Sequence, residues 1–361
     1  MSKVVFIMGA GFSAPAGMPV QADIMLDVLK AKSKSFQDTV RDTYSTLFNM
    51  GNPDDMRDVP LEDVFTVLDR AHRNGEVLRG LTHEEIRKSL IALVDAITHE
   101  FNKKLRNSDL SRYEPFFKEL ISARVGDGSP NALEKDEYSI ISLNWDTIPD
   151  YLLTKLGGPN VGIDYACYDY EIEKGTSHIP SIVKKAKGVF NIKLLKPHGS
   201  LNWAYCPSCN RLFTDGGDGI APPVCFPHQH TCRYCEDVEL ENLIITPTLV
   251  KELSQTHLKM VWHNIQMDLQ EAERIVFLGY SLPMADFEFR YTLLRAILTN
   301  DDVAIRAVLF PPDALIKSDK ERWIRDQTEE RYLNFFGQRD VDFKYMDVID
   351  FVNDQNLLWS W

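Results

Sequence analysis

The sequence predicts an α/β fold: a Rossmann-like, mostly parallel sheet with helices on both faces, plus a helical insertion and a small zinc-ribbon module. Three observations carry this reading. Short apolar runs alternate with segments of helical periodicity along most of the chain. Several of those runs end in glycine or small polar residues, as strands do when they enter a tight turn. Two Cys-x-x-Cys pairs sit in one stretch rich in Gly and Pro.

In chain order, residues 3–8 (KVVFIM) form an apolar run that ends in Gly-Ala-Gly, a buried strand followed by a tight turn. Ile24, Met25, Val28 and Leu29 share one side of a helix over 22–29. From about 36 to 125 the pattern is helical throughout. Leu61, Val64, Phe65 and Leu68 follow helical spacing, as do Ile86, Leu90, Leu93, Val94, Ile97 and Phe101. The linker GDGSPN, 126–131, closes this block. Further strands are expected at 138–143, 189–195, 243–245, 275–278 and 303–310, with a last one at 343–348. Helices are expected from near Asp146, over 258–269, over 286–298 and over 313–338. The expected organisation is a Rossmann-like domain over 1–35, 126–202 and 241–361, a helical insertion over 36–125 and a zinc ribbon over 203–240.

Composition narrows the function. The 361 residues are 44% hydrophobic and 26% charged, as in a soluble globular protein with a large core. A net charge of -13 repels phosphate, which argues against nucleic acid as a direct ligand. No apolar stretch approaches the roughly 20 residues of a membrane helix. The opening MSKVVFIMGAGFS lacks the pattern of a signal peptide, so a cytoplasmic location is expected.

Five motifs carry candidate chemistry. In GAGFSAPAGMP, Gly9 to Pro19, a strand enters a Gly-x-Gly turn and then a helix, which lets backbone amides approach a pyrophosphate. Ser13 adds a hydroxyl, although the third glycine of the dinucleotide fingerprint is missing. Asn144 and Asp146 follow the strand at 138–143, where α/β sheets place ligands; Asp146 is equally placed to cap the next helix. His198, in KPHGSLNW, follows another strand and can act as a general base. Gly279 and Ser281, in FLGYSLPMAD, form one more strand–helix turn with Asp286 as helix cap. Cys206, Cys209, Cys232 and Cys235 form two pairs twenty-two residues apart, giving four thiolates for a closed, structural zinc site. Cys225, His228 and His230 are near enough to replace one ligand, and Cys167 reads as a plain buried thiol.

The order of these motifs resembles the sirtuins, and more closely their bacterial sirtuin-like relatives, from Gly9 to about Phe310. The resemblance implies NAD as substrate. Gly9, Ala10, Gly11, Phe12 and Ser13 would lie on its phosphates, and Gly279 and Ser281 on its adenosine side. Asn144 and Asp146 would face the nicotinamide ribose, and His198 matches the catalytic histidine. The four paired cysteines match the family's zinc ligands. Two departures stand out. Gly17-Met18-Pro19 is followed by Val20-Gln21-Ala22 where a protein-deacylating sirtuin has Asp-Phe-Arg. TPTLVKE, 246–252, replaces the Phe-Gly-Glu near the acyl-lysine channel.

The resemblance implies an NAD glycohydrolase, releasing nicotinamide and ADP-ribose and serving bacterial anti-phage defence by depleting NAD. A homo-oligomer, or a partner such as an ATPase of the same system, would restrain it. The alternatives are an NAD-dependent protein-lysine deacylase and a non-catalytic NAD or ADP-ribose sensor.

Overall fold

Val4–Met8 is apolar at five successive positions and all five are buried, as a strand covered on both faces requires. This is β1, the centre of the molecule. The structure is a computed structural model and describes residues 3–30, 36–49, 59–129, 137–167, 181–182, 189–214, 221–227, 230–248, 255–309, 316 and 318–359.

A short helix α1 (Ala10–Ser13) follows β1 directly. Then come α2 (Gln21–Lys30), α3 (Phe36–Phe48), α4 (Leu61–Asn74), α5 (His83–Arg106) and α6 (Glu114–Val125). The start of α5 is fixed by a reciprocal cap, with Thr82 accepting from the Glu85 amide and the Glu85 carboxylate accepting from the Thr82 amide. The expected periodic residues of α4 and α5, from Leu61 to Phe101, are buried apart from Leu90 and Val94, which are partly so. Ile24, Met25 and Val28 of α2 are also buried, whereas the side chain of Leu29 lies outside what is described.

The chain returns to the sheet in β2 (Tyr138–Ser142), followed by α7 (Ile148–Gly157), β3 (Val161–Asp164), β4 (Ser181–Ile182) and β5 (Phe190–Leu195). Next are β6 (Gly199–Tyr205), β7 (Leu212–Thr214), β8 (Glu241–Ile244), α8 (Thr256–Glu271), β9 (Arg274–Leu278) and α9 (Phe287–Ile297). The remaining elements are β10 (Ala304–Leu309), α10 (Asp319–Phe336), β11 (Val341–Tyr345), α11 (Val348–Asn353) and α12 (Gln355–Trp359).

Seven strands form one sheet in the order β11-β10-β9-β1-β2-β5-β3, and every pairing in it is parallel. The expected Rossmann-like α/β fold is therefore the observed one. The chain moves outward from β1 in both directions, so the β1–β9 boundary is the topological switch point, where such sheets form a crevice. A second, four-stranded antiparallel sheet has the order β4-β7-β6-β8.

Several boundaries differ from expectation. The last strand runs over Val341–Tyr345, and Val348 opens a helix whose amide at Ile349 is capped by Asp347. The final long helix begins at Asp319; residues 310–315 and 317, part of the segment expected to be strand and helix, lie outside the described residues. Strands β3, β4, β6 and β7 have no counterpart among the expected elements. They are short or partly polar, and pairing with neighbours rather than local pattern makes them strands. Residues 203–240 show little apolar periodicity, yet Ala204, Cys206, Phe213, Cys225, Cys232 and Leu240 form a small core of their own.

The turns after β1 and β9 pack against each other without side chains between them. Gly9 donates to the Leu278 carbonyl at 3.0 Å and Gly11 to the Gly279 carbonyl at 2.8 Å. Gly279 has φ of 61°, and a Cβ there would overlap the backbone of Gly11 and Phe12. Gly337 has a similar φ of 64° with open space around it. Gly279→Ala is therefore expected to destabilise by about 3 kcal/mol or more, against about 1 kcal/mol for Gly337→Ala. Equal losses in denaturant unfolding would contradict the close packing of the two turns.

Candidate functional site

The carboxyl ends of β1, β2, β5 and β9 open into a cleft of about 800 Å³. Its walls include Gly9, Ala10, Gly11, Ser13, Asn144, Asp146, His198, Gly279 and Ser281, which the sequence singled out. The fold thus gathers residues from four separate motifs into one crevice. Phe12, also expected among the cofactor contacts, does not line the cleft with its side chain. It is fully buried, its ring centroid 5.4 Å from that of Tyr113, so it supports the turn from below rather than lining the cleft.

Ser13, Asn144 and Asp146 form one hydrogen-bonded unit. The Asn144 amide donates to the Gly9 carbonyl at 2.8 Å and to Ser13 Oγ at 3.0 Å. Both amide protons are then spent, so an acceptor, Oδ1, is what Asn144 can offer a ligand. Ser13 in turn donates to Asp146 Oδ2 at 2.7 Å, which commits its own proton. Asp146 also accepts from the Ile148 amide at 3.1 Å, so the helix-start role and the site role coexist. Burial pushes the Asp146 carboxyl above its ordinary range, against the nearby Lys196 ammonium and the Ser13 and Ile148 hydrogen bonds.

Lys196 carried no signal of its own in the sequence. It is fully buried, donating to the Asp146 carbonyl at 2.7 Å and to Asp150 Oδ2 at 3.1 Å. The end of β5 is thereby tied to the start of α7.

His198 is held at both backbone sides. The Ile245 amide donates to its carbonyl at 2.8 Å, and Gly199 follows with φ of 75° where a Cβ would overlap the Leu243 carbonyl oxygen. The ring donates from Nδ1 to the Leu143 carbonyl at 3.0 Å, and Nε2 lies 3.2 Å from Asp286 Oδ1. Asp286 stands at the expected capping position of α9 but makes no side-chain cap. It forgoes a bond worth about 1 kcal/mol to the helix and faces His198 and Tyr280 instead, so the capping expectation is corrected.

The phosphate turn also differs in detail from its expectation. The Gly9 and Gly11 amides are given to the Leu278 and Gly279 carbonyls, so these two glycines serve turn-to-turn packing, and the Phe12 amide closes the first turn on the Gly9 carbonyl. Two arginines with no sequence signal, Arg112 and Arg325, also line the cleft, each paired with an aspartate: Arg112 with Asp350 at 3.3 Å and Arg325 with Asp326 at 3.1 Å.

The sulfurs of Cys206, Cys209, Cys232 and Cys235 all lie within 4.8 Å of one another, with Cys209 and Cys232 at 3.7 Å. Zinc–sulfur bonds of about 2.3 Å in a tetrahedron put sulfurs about 3.8 Å apart, so the four residues fit a zinc ion. Burial raises the Cys209 thiol, but hydrogen bonds from Arg211, Cys206 and Cys235 together lower it to about 6, whereas burial pushes the Cys232 thiol up to about 12. The buried Cys225 is not in this group, and neither is His230, while His228 lies outside the described residues. Four sulfur ligands leave no open position, so the metal would cross-link the module and take no part in chemistry. Because β6 runs from Gly199 to Tyr205, the cluster begins at the far end of the strand that leaves His198.

Cys209→Ser and Cys232→Ser are each expected to lower bound zinc below one equivalent by elemental analysis, while Cys225→Ser leaves it unchanged. The raised Asp146 carboxyl contributes stability that is fully present below its ordinary 3.8 and lost as pH rises through its folded value. Asp146→Asn should therefore gain stability relative to the unsubstituted chain as pH rises from about 4 towards 7. A melting-temperature difference independent of pH would contradict the burial assigned to this carboxyl.

No family model and no curated protein matches the sequence. Among solved structures, the chain is similar to a mutant Sir2 homologue in complex with ADP-ribose, at 13% identity over 94% of this chain and 95% of that one, with a TM-score of 0.43. It is similar to a Sir2 homologue–NAD complex at 13% identity over 92% and 90%, with a TM-score of 0.42. It is also similar to Sir2Tm bound to a propionylated peptide at 12% identity over 97% and 90%, with a TM-score of 0.39.

Proposed function

We propose that the chain binds NAD across this cleft and cleaves its nicotinamide–ribose bond with water as acceptor, giving nicotinamide and ADP-ribose. One observation carries the reading: Ser13, Asn144 and Asp146 form a single bonded unit in the same cleft as His198, at the carboxyl ends of the central strands, where such folds take nucleotides.

Breaking the bond builds positive charge on the ribose as the pyridinium charge leaves with nicotinamide. Asn144 has only an acceptor to offer, which suits a water or ribose hydroxyl that must donate to it. The carboxylate of Asp146, when ionised, favours the developing cation in a site shielded from bulk water. His198 orients a ribose hydroxyl and takes up its proton. The glycine turn would take the pyrophosphate and the Gly279–Ser281 turn the adenosine side, a reading supported by their sharing one cleft. The sirtuin resemblance of the motifs adds bacterial defence by NAD depletion as the setting, with a homo-oligomer or a partner ATPase as the restraint. Among the described residues no helix is long and apolar enough to cross a membrane.

Incubating the purified chain with NAD and following nicotinamide and ADP-ribose tests this reading. Asn144→Ala and His198→Ala are each expected to lower turnover by about 10²-fold or more with zinc content unchanged. Nicotinamide release that needs an acylated lysine peptide would move the reading to protein-lysine deacylation. Tight NAD binding with no turnover in any variant would leave a sensor.

A further inference from the structure

Helix α9 carries two apolar faces. Phe289, Leu293, Ala296 and Ile297 are buried against the body of the protein. Facing outward, Phe287, Tyr291, Leu294 and Leu298 are 65%, 52%, 40% and 67% exposed. Leu298 continues the helical turn, since its amide donates to the Leu294 carbonyl at 3.0 Å. At about 100° per residue, these four positions fall within about 60° of one another, so they form a stripe rather than scattered exposure. The Phe287 and Tyr291 rings stack with centroids 6.4 Å apart, which gives the stripe a flat aromatic surface. A helix that is apolar on both sides is ordinarily covered on both, and an exposed patch of this kind marks an interaction site.

Two properties of the stripe say what covers it. Its spacing of four, three and four residues reads the same from either end. Two copies of α9 packed antiparallel about a two-fold axis would therefore set Phe287 against Leu298 of the second copy, and Tyr291 against its Leu294. The charges are mirrored as well. Glu288 and Arg295 lie within about 20° of each other on one flank of the stripe. Among the described residues neither makes an ion pair, and Glu288 Oε2 accepts no hydrogen bond. In an antiparallel pair, like flanks face each other. Glu288 of each copy then meets Arg295 of the other, offset by about 3 Å along the axis and within reach of both side chains.

We propose that α9 is a two-fold interface between copies of this chain, paired antiparallel through this stripe and flanked by two Glu288–Arg295 ion pairs. The interface gives the homo-oligomer of the functional reading a surface and a register, but it rests on this helix and not on NAD turnover.

Sedimentation velocity of the full chain tests it. The unsubstituted chain is expected to sediment at the mass of two copies or an even multiple. Tyr291→Glu should halve that mass and leave the melting temperature unchanged, since Tyr291 is exposed in the single copy. Glu288→Arg and Arg295→Glu should each weaken association about tenfold or more, because like charges then face each other across the pair. Mixing these two variants should restore association, because every flank contact again joins opposite charges. A glutamate in the first turn and an arginine in the last also suit the helix dipole, but a loss of that kind would persist in the mixture. A monomer at every concentration, a mass unmoved by Tyr291→Glu, or no recovery in the mixture would each overturn the proposal. If Tyr291→Glu fails to fold, the mixing arm decides by itself. None of these readouts uses NAD, so failure of the interface and failure of the functional reading are told apart.

Discussion

Two turns meet where β1 and β9 end, and they meet backbone to backbone. The Gly11 amide donates to the Gly279 carbonyl at 2.8 Å in a space where neither glycine tolerates a Cβ. Much of the site hangs on this contact. Asn144 is anchored to the Gly9 carbonyl, one residue past β1. The loop that ends in Asp286 begins at Gly279. Spreading the two turns apart would separate Ser13, Asn144 and His198 from Asp286, so the cleft depends on the absence of side chains at these positions.

A second constraint sets the spacing across β2 and β5. Lys196 is buried without exposure, and its ammonium is satisfied by the Asp146 carbonyl and the Asp150 carboxylate. Such a pair adds little net stability once desolvation is counted, but removing one partner strands a buried charge. Its evident effect is geometric. Lys196 is two residues before His198, and Asp146 is two residues after Asn144, so the hydrogen bond from Lys196 to the Asp146 carbonyl ties the segments of the two proposed reactive side chains together. Strand β6 then leads from His198 to the cysteine cluster, which anchors the far end of that strand.

Much of the fold was legible because long apolar runs and helical periodicity report burial directly. β1, β2, β5, β9 and β10 were all anticipated within a few residues, whereas β3, β6 and β7 owe their state to pairing with distant partners. The four cysteines were legible from spacing alone, since zinc geometry dictates the pattern. Asn144, Asp146 and His198 stood out by position at strand ends, and the order of the motifs gave them meaning. Asp286 was misread because Asp before a helix is the ordinary signature of a cap, and nothing local distinguishes a carboxylate that turns away to a distant histidine. The glycines of the first turn were read as making room for phosphate; they also make room for the backbone of Gly279 and Tyr280.

The central claim is that the bonded unit of Ser13, Asn144 and Asp146, together with His198, directs water onto the ribose of NAD. The most direct measurement is a reaction of the purified chain with NAD in water labelled with heavy oxygen, followed by mass analysis of both products. The account predicts one labelled oxygen in ADP-ribose, none in nicotinamide, and no requirement for a peptide. ADP-ribose carrying an acyl group, formed only when an acylated lysine peptide is supplied, would contradict it.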